Sequence, residues 1–128
     1  MSRKKSREYV FRTVFEKFFH EPDLDLEFDD IDLVVNQEDK DFVNFLINGI
    51  NENYDKIIDI IKTNTIGYDV EKIFKVDLAI LVLAVYELKF VEDTPNLVII
   101  NEAVELAKKY STDKSYSFIN GVLAKIVK

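Results

Sequence analysis

The stretch from Val76 to Phe90 constrains this chain more than any other. It reads Val-Asp-Leu-Ala-Ile-Leu-Val-Leu-Ala-Val-Tyr-Glu-Leu-Lys-Phe, and only Asp77, Glu87 and Lys89 interrupt an otherwise apolar run. The apolar positions fall on every side of a helix rather than on one face. Such a helix is stable in water only when other helices surround it. It is too short to cross a bilayer, which takes about 20 apolar residues. The rest of the chain must therefore supply the elements that cover it.

Amphipathic stripes with helical period do so. Val10, Phe11, Val14, Phe15, Phe18 and Phe19 recur at i, i+1, i+4, i+5, i+8 and i+9, which is one face of a helix. Phe42, Val43, Leu46, Ile47, Ile50, Tyr54, Ile57, Ile58 and Ile61 form a second stripe, with Asn36 placed to cap it and residues 63–67 to break it. Short helices are expected around Leu24 to Phe28 and Val70 to Phe74. Pro95 suits a first helical turn and precedes a stripe of Ile99, Ile100, Ala103, Val104, Leu106, Ala107 and Tyr110. After the hinge Ser111-Thr112-Asp113, with Asp113 or Ser115 as cap, a last helix carries Phe118, Ile119, Val122, Leu123 and Ile126. Gly121 inside it weakens the helix by about 1 kcal/mol against Ala, which points to a close approach by a neighbour. With 3 Gly and 2 Pro in 128 residues, no strand is credible. The expectation is one all-α domain over residues 1–128, a compact bundle of six or seven helices.

The inventory for chemistry is thin. There is no Cys and a single His, His20, so thiolate metal sites and cysteine nucleophiles are excluded. Glu16 and His20 lack the Glu-x-x-His spacing of carboxylate-bridged metal bundles. The acids of residues 21–39 lack the order of a calcium loop. No enzyme activity, cofactor or metal is expected. The start does not read as a signal peptide, so the cytoplasm is expected, with no membrane partner. Glu87 reads as a buried structural carboxylate bonded to a neighbouring helix end. The sharper alternative, a general base, has no visible partner. Asp77 interrupts the central helix near its start and is expected to emerge at an edge.

A net charge of -7 speaks against nucleic-acid binding, but its distribution does not. Arg3, Lys4, Lys5, Arg7, Arg12 and Lys17 crowd the first twenty residues against Glu8 and Glu16, while residues 21–39 hold acids and no Lys or Arg. Positive charge in a first helical turn opposes the macrodipole. Arg3, Lys4, Lys5 and Arg7 are thus either a solubilising tail or a phosphate-binding arm. Arg12 reads as a partner of Glu8 and Glu16. A second candidate is Lys114, Tyr116, Phe118 and Asn120, since aromatics beside a Lys and an Asn can stack on and hydrogen-bond to unpaired bases. The spacing of Phe118 with Val122 fits a core position equally.

Four blocks carry a family resemblance. Ile100-Asn101-Glu102-Ala103-Val104-Glu105-Leu106-Ala107-Lys108-Lys109-Tyr110 closely resembles the INEAVELAKxY signature of the NusB family of bacterial transcription antitermination factors. Residues 118–126, Phe-Ile-Asn-Gly-Val-Leu-Ala-Lys-Ile, resemble its F-V-N-G-V-L-D-K-I ending. Residues 76–88 resemble its V-D-R-A-I-L-R-L-A-x-Y-E-L helix, and Lys5-Ser6-Arg7-Glu8 with Val14-Phe15 its R-x-A-R-E…L-Y start. The blocks stand in family order and spacing across almost the whole chain. The resemblance implies an all-α fold of two small helical subdomains. It implies binding to the boxA segment of ribosomal RNA leader transcripts as single-stranded RNA, jointly with NusE, a small-subunit ribosomal protein, within an RNA polymerase antitermination complex. It places Lys4, Lys5 and Arg7, with Arg3 beside them, on RNA. Phe118 and Asn120 join them, with Lys114 and Tyr116 as neighbours. It places Phe15, Phe19 and Asp77 toward NusE. The chain departs from the pattern at Leu78 and Val82, where Arg is usual, at Phe15 for Tyr, and at Ala124 for Asp. The alternative is a protein-binding adaptor of the same fold with little RNA affinity, supported by the net charge and the missing Arg pair.

Overall fold

The computed structural model describes residues 3–18, 37–65, 67 and 69–127. Among them run helices α1 (Arg3–Lys17), α2 (Gln37–Thr63), α3 (Lys75–Phe90), α4 (Asn96–Tyr110) and α5 (Asp113–Ile126), with a 3-10 turn at Val70–Lys72 before α3. Every residue from Asp77 to Glu87 on α3 is buried, as a helix apolar all round requires. α1 and α2 pack on each other and on α3, and α4 and α5 do the same. The two expected subdomains therefore share the central helix. Ile80, Leu81, Ile99, Ile119 and Leu123 are almost wholly buried, each contributing roughly 1.5–3 kcal/mol by removal from water.

The class matches the sequence expectation and the count differs. The stretch Val70 to Phe74 closes only a 3-10 turn, since a segment this short cannot repay helix nucleation. The helix expected around Leu24 to Phe28, the cap at Asn36, and residues Phe19 and His20 lie outside the described residues.

Local chemistry explains the boundaries. α2 ends where Thr63, Asn64 and Thr65 turn their side chains back to the carbonyls of Asp59, Ile60 and Ile61, each at 2.8 Å. These carbonyls belong to the last turn, where helical partners run out. Gly67 then takes φ of 94°, a left-handed conformation suited to glycine. At the other hinge the cap position falls to Thr112 rather than Asp113 or Ser115. The Ser115 hydroxyl is already committed to donating to Asp77 Oδ2 at 2.9 Å.

Asp77 is a correction. It does not emerge at an edge but is 6% exposed. Its Oδ1 accepts from the Ser111 hydroxyl at 2.6 Å and its Oδ2 from Ser115. A carboxylate in the first turn of α3 also favours the helix dipole. The result pins the α4–α5 hinge to the start of the central helix. The carboxylate is thereby unavailable as a docking charge.

The glycine expected to admit a neighbour is also not the one that does so. Gly121 is exposed, and a Cβ there would meet nothing within 4 Å. Gly49 on α2 is the close-approach position: a Cβ there would run into the hydroxyl and ring of Tyr86. Tyr86 cannot easily yield, being buried and stacked on Phe90 with ring centroids 5.6 Å apart.

Gly49→Ala should destabilise by about 1–3 kcal/mol through overpacking, whereas Gly121→Ala should stabilise by up to about 1 kcal/mol, both read by urea unfolding. Asp77→Ala should cost about 1–3 kcal/mol, because it leaves two partly buried hydroxyls without their acceptor. A thermal melt matching the parent would show that the hinge is not held this way.

Candidate nucleic-acid interface

The basic first turns of α1 divide between two sides of the helix. Arg7 points inward. Its Nε donates to Oε1 and Oε2 of Glu87 at 3.0 and 2.9 Å, and the side chains are 7% and 2% exposed. Burial pushes the Glu87 carboxyl up, and the hydrogen bonds and charge of Arg7 pull it back without cancelling the effect. Arg7 is thus not placed as a phosphate ligand. Its guanidinium compensates the Glu87 carboxylate buried near the end of α3, where a lone charge would be worth several kcal/mol of instability. Glu87 is structural, as expected, but its partner is a side chain of α1 rather than a helix end. Arg3, one turn earlier, lies over the ring of Phe42 on α2 at 3.7 Å from its centroid, an attractive cation–π geometry.

Lys4 and Lys5 are exposed and face the other way. With Lys108 and Lys109 of α4 they line a groove of about 420 Å³ between the two helices. Glu8 lies in the same groove, accepting from Lys109 Nζ and from the Tyr110 hydroxyl, each at 2.6 Å. Burial raises the Glu8 carboxyl, but these two hydrogen bonds and the charge of Lys109 outweigh it and hold it below its ordinary value. Tyr110 is shifted up, first by burial and then by its bond to Glu8. Leu106 lines the groove, and Glu102 and Glu105 complete the α4 wall.

The start of α5 joins this surface. The Lys108 ammonium sits 5.6 Å from the ring centroid of Tyr116, which is 38% exposed. Lys114 and Asn120 are exposed on the same helix. Phe118 is half-buried and packs against the core. The two clusters singled out in the sequence are therefore bridged by Lys108 and Lys109, which sequence reasoning missed. Nothing local marks these lysines; only the packing of α4 beside α1 brings them to Lys4 and Lys5.

The expected partner face is less well gathered. Phe15 is half-buried, its ring 6.3 Å from that of Phe11, Phe19 lies outside the described residues, and Asp77 is buried in the hinge. Leu78 and Val82, which stand where the pattern usually shows Arg, are 3% and 0% exposed. In this chain both positions belong to the core, so their apolar character is a packing requirement.

Comparison with known proteins agrees with this architecture. The NusB family model matches residues 4–128. A transcription antitermination protein NusB of Clostridium botulinum (strain Kyoto / Type A2) is 43% identical, over 99% of this chain and 100% of its own length. The solved structure of T. maritima NusB superposes with a TM-score of 0.91 at 35% identity, covering 99% of this chain and 91% of that one. A chain in the crystal structure of antitermination factors NusB and NusE in complex with dsRNA shares the fold, with a TM-score of 0.86 at 23% identity over 98% and 95% of the two chains. A family match over nearly the whole sequence and a relative aligned end to end agree with the helix order and the buried α3: the chain belongs to the NusB family.

Proposed function

We propose that this chain is a transcription antitermination factor. It binds single-stranded boxA RNA of ribosomal RNA leader transcripts together with NusE, and so joins the RNA polymerase antitermination complex. The observation that carries the reading is the lysine-lined groove between α1 and α4, continuous through Lys108 with the exposed ring of Tyr116. The antitermination name of the C. botulinum relative, and the dsRNA and NusE in the complex of the more distant structural neighbour, support RNA and NusE as partners.

In this reading Lys4, Lys5, Lys108 and Lys109 take phosphates, and Tyr116 stacks on a base. Lys114 and Asn120 hydrogen-bond to bases or sugar, while Arg3, stacked on Phe42 on the other side of α1, takes no part in the groove. The exposed part of Phe15 contributes to the NusE side. The function is binding and assembly, with no bond made or broken.

Titration with boxA RNA at several salt concentrations tests the proposal. Lys4→Ala with Lys108→Ala, one from each wall, should weaken binding and reduce the slope of log affinity against log salt by about 0.7 for each phosphate no longer neutralised. Tyr116→Ala should weaken binding by about 1–3 kcal/mol. Adding NusE should raise RNA affinity, and RNA should raise NusE affinity by the same factor. An unchanged slope in the double variant would remove the groove from the RNA path.

A further inference from the structure

Glu102 and Glu105 are out of place in a surface that binds only phosphate. Both stand on the α4 wall of the lysine-lined groove. Among the described residues neither accepts a hydrogen bond nor forms an ion pair, although four ammonium groups share the groove. The α4 lysines are turned elsewhere, Lys109 to Glu8 and Lys108 to the ring of Tyr116. Both carboxylates therefore face the groove open to a donor that a ligand brings.

An ionised carboxylate can only accept hydrogen bonds. In a groove that draws in an RNA strand, it repels the phosphates and accepts from the donors the strand carries, the ribose 2′-hydroxyls and the base edges that donate, and of these only the base edges distinguish one nucleotide from another. The bases differ sharply in this respect. Guanine presents N1–H and the N2 amine side by side, matching both oxygens of one carboxylate. Adenine and cytosine each place one amine beside a ring acceptor, and uracil flanks its single N–H with two carbonyl oxygens. The groove, at about 420 Å³, has room for a single nucleotide and not for a duplex. We infer that it is a guanine-reading subsite for an unpaired nucleotide. The lysines hold the phosphates, Glu105 accepts from N1–H and N2, and Glu102, one turn earlier, disfavours bases that present acceptors. The inference rests on the RNA-binding reading above and adds base selectivity to it.

The test uses the full chain and three single-stranded RNA probes. They are a uridine dodecamer, the same strand with one central guanosine, and the same strand with inosine at that place. The strand can slide, so a lone guanosine finds the subsite. The guanosine strand should bind about tenfold more tightly than the uridine strand. Inosine, which lacks the N2 amine, should lose most of that gain. Glu105→Gln should reduce the preference to less than about twofold while uridine affinity holds or rises, since a negative charge is removed. Glu102→Gln should raise uridine affinity and so narrow the preference. Equal binding of all three strands by the parent would overturn the subsite and leave RNA binding intact. So would a preference that survives Glu105→Gln. Failure to bind any strand at low salt would overturn the RNA reading itself, and the subsite with it.

Discussion

The hydrogen-bonded pair between Arg7 and Glu87 sets the geometry on which the rest of the surface depends. The Glu87 carboxylate, buried far from the helix N-terminus and from the serine hydroxyls that serve Asp77, needs a cation against it, and Arg7 is the cation that reaches it. That pairing fixes the rotation of α1 about its own axis. At 3.6 residues per turn, Arg3 falls about 40° to one side of Arg7, while Lys4, Glu8 and Lys5 fall about 60°, 100° and 160° to the other. The first direction leads to Phe42 on α2 and the second to the groove with α4. One buried ion pair thus sorts a run of basic residues into a half packed on the protein and a half turned to the groove with α4.

The same sorting resolves the charge paradox. A chain of net charge -7 is a poor nucleic-acid binder by its overall field. At physiological salt, exposed charges more than about 8 Å apart are largely screened, so what a strand meets is the local set. In the α1–α4 groove that set is four lysines against three glutamates, one of which is held by Lys109 and Tyr110. Acids elsewhere on the surface matter little at that range.

What the sequence reveals and what it hides divide along contact distance. The helices, the all-round burial of α3 and the break at residues 63–67 were legible, because helical period and turn chemistry are local. The family blocks were legible for the same reason. Arg7 read as part of a basic arm because its partner lies 80 residues away. Asp77 read as an edge residue because the serines it binds are 34 and 38 positions later. Gly121 drew attention as a helix breaker, yet Gly49 holds the tight approach, and only Tyr86 crossing from another helix reveals it. Lys108 and Lys109 were written inside the family block, but their meeting with Lys4 and Lys5 is a tertiary fact.

The central claim is that Arg7 belongs to the core and only its neighbours belong to the ligand. A double-mutant cycle on Arg7 and Glu87, with urea unfolding and RNA salt dependence measured on the same proteins, tests it most directly. Arg7→Met and Glu87→Met should each destabilise by about 3–5 kcal/mol, and the double variant by much less than their sum, since apolar replacement of a buried pair is often neutral. The folded double variant should keep the parent's slope of log affinity against log salt. A fall of about 0.7 in that slope, with Arg7→Met almost as stable as the parent, would contradict the account and return Arg7 to the RNA.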